Sequence, residues 1–219
     1  MMAAMTLVEA ITGGDAAAAL AALEADPGAA GATDGAGVSA LLLARYRGMA
    51  EVVEAIRARR PLTLAEAAAA GDVARVGELL AGGTDVDEPS ADGFLPVQLA
   101  LFFDNPGAAA LLIRAGADVR TPATHPMGIA ALHAAAASPS GAGVALVVAA
   151  GADLDATQAG GFTALHEAAS RGDAAMAELL LAAGADPARP TDDGRTAGAV
   201  ARDAGHPALA DRLDAPRSR

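Results

Sequence analysis

One block of sequence recurs along this chain at a nearly fixed interval. That recurrence limits how the chain can fold more than any other feature. In its fullest form the block reads Gly161-Phe162-Thr163-Ala164-Leu165-His166-Glu167-Ala168-Ala169, followed by Ser170-Arg171-Gly172-Asp173. Met176-Ala177-Glu178-Leu179-Leu180-Leu181 comes next, closed by Gly184-Ala185-Asp186. With Ala168 as the anchor, the equivalent alanines are Ala10, Ala44, Ala67, Ala100, Ala135 and Ala201, at successive spacings of 34, 23, 33, 35, 33 and 33 residues. The closing turn repeats as Gly83-Thr84-Asp85, Gly116-Ala117-Asp118 and Gly151-Ala152-Asp153. A chain written this way is a stack of like units, each resting on its neighbours, and not a globule around one centre.

Each unit reads as two short helices and an extended connection. Thr6 with Glu9, and Thr63 with Glu66, have the spacing of a capping box, in which side chains satisfy the free amides of a helix start. The pairs Gly14-Asp15, Gly71-Asp72 and Gly172-Asp173 then stop one helix and start another: glycine tolerates the left-handed turn, and aspartate caps the next helix. The second helix carries an apolar stripe, as at Val73, Val76, Leu79 and Leu80. Aromatic residues make up only 2% of the chain, whereas alanine is abundant, which suits helices packed closely at many small interfaces.

The block resembles the ankyrin repeat, whose mark is T-P-L-H-x-A at a period of 33, with Ala164 in place of the proline. The resemblance covers nearly the whole chain. It implies an all-α repeat solenoid of stacked helix-turn-helix repeats with β-hairpin or loop fingers, in one domain over 1–219. Residues 1–33 are expected to form an N-terminal capping module and 34–61 a module lacking its finger. Residues 62–91, 92–126, 127–159 and 160–192 are expected to be repeats, 193–214 a C-terminal cap with a charged outer face, and 215–219 a tail. The step of 23 residues leaves Arg60-Pro61-Leu62-Thr63 no room for a finger, whereas the step of 35 lengthens the finger from Arg120 to Met127. Leu95-Pro96-Val97-Gln98 and Asp104-Asn105-Pro106 depart from the motif in the fourth module.

Charge and composition narrow the function. The net charge is −12, and all fifteen basic residues are arginine. Nucleic-acid binding draws on phosphate neutralisation by basic side chains, so an acidic chain points away from it. The one tight basic cluster, Arg57, Arg59 and Arg60, falls at the expected end of a helix, where cations favour the dipole. Without cysteine there are no disulfides, thiolates or cysteine zinc sites, and a reducing cytoplasm is the simpler expectation for its location. Residues 127–152 carry no formal charge, but Ser138-Pro139-Ser140-Gly141 breaks the run into two short helices, so no membrane span is expected. The start of the chain has neither the basic region nor the apolar run of a signal peptide.

No catalytic constellation appears. His133 and His166 take the last place of the T-P-L-H motif, where the family uses histidine for hydrogen bonds within and between repeats. Asp85, Asp87, Glu88 and Asp92 cluster, as do Asp192 and Asp193, but without a calcium-loop pattern, and aspartate commonly ties such turns. No cofactor and no metal are expected. The resemblance implies a protein-binding module that holds a partner in a concave groove and by its fingers. Expected contact residues are Phe94 and Phe162 at finger bases, Phe102 and Phe103, Tyr46 and Arg47, and Ser170 and Arg171 after the paired small residues. His125 and Met127 in the long finger complete the set. All five aromatic residues are expected on that groove, where aromatic and arginine side chains supply most binding energy. The partner is an unidentified protein and the chain a monomer on its own, with no nucleic acid and no membrane involved. The alternatives are a self-associating scaffold, with the uncharged module as its contact, and an enzyme or metal-dependent activity.

Overall fold

A computed structural model describes residues 5–215. Apart from Ala215, the tail expected over 215–219 lies outside the described residues, as do the first four residues of the N-terminal module. The described chain holds seven helix pairs. Their first members are α1 (Leu7–Gly13), α3 (Ala40–Tyr46), α5 (Leu64–Ala70), α7 (Pro96–Phe102), α9 (Ala131–Ala137), α11 (Ala164–Arg171) and α13 (Ala197–Asp203). Their second members are α2 (Ala16–Ala25), α4 (Ala50–Arg57), α6 (Val73–Ala81), α8 (Pro106–Arg114), α10 (Gly143–Ala149), α12 (Ala174–Ala183) and α14 (Pro207–Leu213). The first members contact one another in chain order and form an inner row; α2 rests on α4, and α6, α8, α10 and α12 follow as an outer row.

Local chemistry sets these elements. Thr6 and Thr63 cap α1 and α5 in full capping boxes with Glu9 and Glu66. Gly14, Gly71 and Gly172 close α1, α5 and α11 in the left-handed conformation, and Asp15, Asp72 and Asp173 then cap α2, α6 and α12. In the fourth module the same turn is made differently. Asp104 takes the left-handed conformation at φ 60°, and Asn105 donates from Nδ2 to the carbonyls of Ala68 and Ala69 at 3.1 and 2.9 Å. Free carbonyls at the end of one inner helix are thus capped by the next module.

The core is a continuous seam of small residues. Ala10, Ala44, Ala67, Ala100, Ala135, Ala168 and Ala201, the anchors of the repeat, are all fully buried. A side chain without reach lets inner helices approach closely, and leucine, valine and isoleucine from both rows fill the rest. On the helix of the uncharged module, Val144 and Val147 are buried, so most of its apolar stripe is covered by its neighbours.

The hairpin fingers project from the start of the inner helices. Adjacent fingers are tied by single backbone bonds: Thr124 N to Gly93 O, Ala159 N to Met127 O and Asp192 N to Gly160 O, at 2.9–3.0 Å. Between α4 and α5 the chain crosses in residues 58–63 without a finger. Arg60 bridges that gap. Its guanidinium meets the Glu66 carboxylate at 2.5 and 2.8 Å and donates to Ala30 O, in the turn that follows α2, at 2.7 Å. Glu66 is 2% exposed. Burial raises its pKa, but the hydrogen bonds from Arg60, Ser39 and the Thr63 amide outweigh that and leave it below the usual carboxylate range. Arg57 pairs with Glu54 and Asp72, and Arg59 donates to Ala55 O, so every member of the basic cluster is engaged within the chain.

Candidate functional site

In α5, α7, α9 and α11 the fourth position of the inner-helix motif is buried and polar, as Glu66, Gln98, His133 and His166, and its side chain connects modules. In α9, His133 Nδ1 accepts from Ala130 N, and Nε2 donates to Phe162 O at 3.1 Å. In α11, His166 accepts at Nδ1 from the Thr163 amide and hydroxyl and donates from Nε2 to Arg195 O at 3.2 Å. A carbonyl can only accept, so both imidazoles carry their proton on Nε2. Burial holds the pKa of each below the ordinary histidine value. Gln98 does the same work in α7: Oε1 accepts from Leu95 N and Nε2 donates to Thr121 O at 3.0 Å. These groups are fully occupied in holding the stack.

The candidate binding surface lies beside them. Tyr46, Asp92, Phe94, Gln98, Leu99, Phe102, His125, Met127, Ile129 and Ala134 line one pocket of about 450 Å³. Helices α3 and α7 supply Tyr46 and Phe102 from their last turns, and two successive fingers supply Phe94, His125 and Met127. Tyr46, Phe102 and Met127 are exposed, at 40%, 41% and 46%, and stand together in a chain with only 2% aromatic residues. Phe94 stacks on His125 with ring centres 5.0 Å apart. Tyr46 donates from Oη to Asp92 at 2.7 Å, a bond between residues 46 positions apart, and Ser90 Oγ donates to the other carboxylate oxygen at 2.5 Å. Partial burial and the bond to Asp92 keep the Tyr46 phenol protonated far above its ordinary range.

Five of the expected contact residues therefore converge: Tyr46, Phe94, Phe102, His125 and Met127. Phe103 stands behind them, half-buried. It packs on Tyr46 and Phe102 at 5.4 and 5.1 Å and joins a small core cluster with Leu42, Ala65, Ala69 and Leu99. Arg45 caps its far end, with Cζ 4.5 Å from the ring centre and Nη2 bonded to Phe103 O. Arg47 follows Tyr46 as an exposed residue at the end of α3. The structure does not bring Phe162, Ser170 or Arg171 to this pocket. Phe162 lies edge-on to His166 at 5.6 Å, two modules further on. Ser170 is exposed on α11. Arg171 donates to the carbonyls of Ala136 and Ser138 at 2.8 and 3.0 Å, capping the end of α9 much as Asn105 caps α5.

Asp92, Gln98, Leu99, Ile129 and Ala134 are pocket residues that motif reading does not single out. Asp92 reads as one more finger acid until Tyr46 is seen to cross α5 and reach it. Gln98 does carry a signal, since it stands where the motif has histidine.

Residues 132–213 match the family model for ankyrin repeats (3 copies), and the sequentially stacked helix pairs of the described chain are consistent with an ankyrin-repeat solenoid. No curated protein matches the chain. Ankyrin repeats generally serve protein–protein interaction and are typically non-catalytic. Among the described residues there is no group of three or more metal-ligating side chains, and no helix is long and apolar enough to cross a membrane.

Proposed function

We propose that this chain is a protein-binding module that seats a partner protein on the face formed by the inner-helix ends and the fingers, with the aromatic pocket as its anchor. One observation carries the reading: Tyr46, Phe102 and Met127, drawn from three separate places in the stack, are exposed around a single apolar pocket. Leaving them in water forgoes about 1.5–3 kcal/mol per large apolar side chain, a cost that a partner would recover. A surface of ordinary size buries about 800 Å² per side, within reach of several modules. Arg47, Phe162, Ser170 and the long finger extend the same surface beyond the pocket and would supply its rim. Asp92 is bonded to Tyr46 and Ser90, the motif histidines to the stack, and His125 stacks on Phe94 and accepts from the Met127 amide. That distribution favours binding over catalysis.

The test is affinity capture from the native host with the wild-type chain and with Phe102→Ala/Met127→Ala. Both changes fall on exposed side chains, so the melting temperature should stay close to wild type. A partner held by the wild type and released by the folded variant is the expected result. A partner held equally by both would remove the pocket from the interface.

A further inference from the structure

Resting on the protein-binding reading above, we propose that the pocket receives an arginine side chain of the partner protein, its stem lying between Phe94, Phe102 and Met127 and its guanidinium on Asp92. The pocket has two unlike parts. Its walls, from Phe94, Leu99, Phe102, Met127 and Ile129, are apolar and aromatic, and suit a long stem that must shed water. Aromatic walls also attract cations. Its polar end is the half-buried carboxylate of Asp92. One lone pair on each Asp92 oxygen is taken, by Tyr46 Oη on Oδ2 and by Ser90 Oγ on Oδ1. Each oxygen keeps a second lone pair, so a fork of two parallel N–H groups is what the carboxylate can still accept.

Among the described residues no cation of this chain fills that place. Asp92 takes part in none of the ion pairs. Arg45, the cation packed against this cluster, has its guanidinium over Phe103 and bonded to Phe103 O. His125, which also lines the pocket, stacks on Phe94 and accepts at Nδ1 from Met127 N. Tyr46 is held protonated and so serves as a donor to the carboxylate, not as a competing anion. An aliphatic side chain in the pocket would strip water from Asp92 and give nothing back. A lysine would bring the charge without the planar fork. The net charge of −12 draws basic surfaces toward the chain before contact.

Blocked peptides Gly-Gly-X-Gly-Gly, with X as arginine, citrulline, lysine or leucine, provide the probe. Binding is read from the NMR shift of the Met127 methyl group in the full chain. Citrulline keeps the shape of arginine and lacks its charge. The arginine peptide should bind about tenfold or more tighter than the citrulline peptide, the usual advantage of a hydrogen bond to a charged group. In Asp92→Asn, checked by its thermal melt, the arginine and citrulline peptides should bind alike. Equal or tighter binding of the leucine peptide, a preference for arginine that survives in Asp92→Asn, or no shift with any peptide would each overturn the proposal. Partner capture separates the two readings. A partner released by Phe102→Ala/Met127→Ala but kept by Asp92→Asn leaves the groove standing and removes the arginine. A partner indifferent to Phe102 and Met127 removes both.

Discussion

At the scale of single residues, one position shows how chemistry changes while a task is kept. The fourth residue of the inner-helix motif is Glu66, Gln98, His133 and His166 in successive modules, and each bonds the amide at the start of its own helix. Gln98, His133 and His166 also donate to the following finger, whereas Glu66, a carboxylate with no N–H to donate, accepts from Arg60 instead. The two histidines make stability depend on pH. Burial holds their folded-state pKa below the ordinary value of 6.5, so the unfolded chain binds protons first as the pH falls. Stability is therefore complete above that value and declines below it, toward the folded-state pKa. The loss between pH 6.5 and 5 is at most about 2 kcal/mol per histidine, at about 1.36 kcal/mol per unit. Replacing both by glutamine, as Gln98 shows is compatible with the fold, should flatten that decline. Urea unfolding at pH 7 and pH 5 measures it, and an equal decline in the variant would mean that other groups carry it. This position was legible in the sequence as a motif histidine. Its equivalence with Glu66 and Gln98 was not, because the shared task appears only once the neighbouring finger is in place.

Among the elements, the fingers depend on close backbone approach. Gly161, at φ +72°, sits where a Cβ would stand 2.6 Å from the Asp192 amide nitrogen. The same stretch donates the backbone bond from Asp192 to Gly160. Gly161→Ala should destabilise the chain by about 2 kcal/mol, combining left-handed strain with the clash. The effect should appear in chemical denaturation and in faster exchange of the Asp192 amide. Gly31→Ala, with nothing within 4 Å of the added carbon and no left-handed strain, is the control and should be nearly neutral. Helix ends and turns were readable because they rest on contacts three or four residues apart, as with Thr63 and Glu66 or Asp72 and the Arg75 amide. Caps that cross modules were not. Asn105 and Arg171 sit some 35 residues from the carbonyls they satisfy, and read as a motif departure and a groove residue respectively.

For the whole molecule, the missing finger is the point of interest. The finger bonds run from the pair 93–124 through 127–159 to 160–192, and among the described residues none joins the hairpin at 33–39 to the one at 90–94. Arg60 spans that break through Ala30 and Glu66. Arg60→Met should cost about 3–5 kcal/mol, since it leaves Glu66 buried without its cation. Because repeat stability sums over neighbouring interfaces, the loss should fall mainly on α1–α4, seen as faster hydrogen exchange there than in α7–α14. A uniform rise in exchange would show that the break does not divide the stack. Arg60→Met/Glu66→Gln should recover part of the loss, because glutamine keeps the cap without a charge.

The repeat period, the caps, the turns, the absent finger and the acidic charge are all properties of the sequence by itself. Each is set by side chains within one module or by simple sums along the chain. Only the tertiary structure decided which aromatics meet. Phe102 and Phe103 are adjacent in sequence, yet one is exposed in the pocket and the other is packed against Ala65 and Ala69. Phe162 has the same place in its module as Phe94 but lies against His166. Tyr46 reaches Asp92 across the alanine-rich helix α5, a contact that depends on how far each module is turned relative to the last. That rotation comes from packing between whole helices, and no short stretch of sequence encodes it.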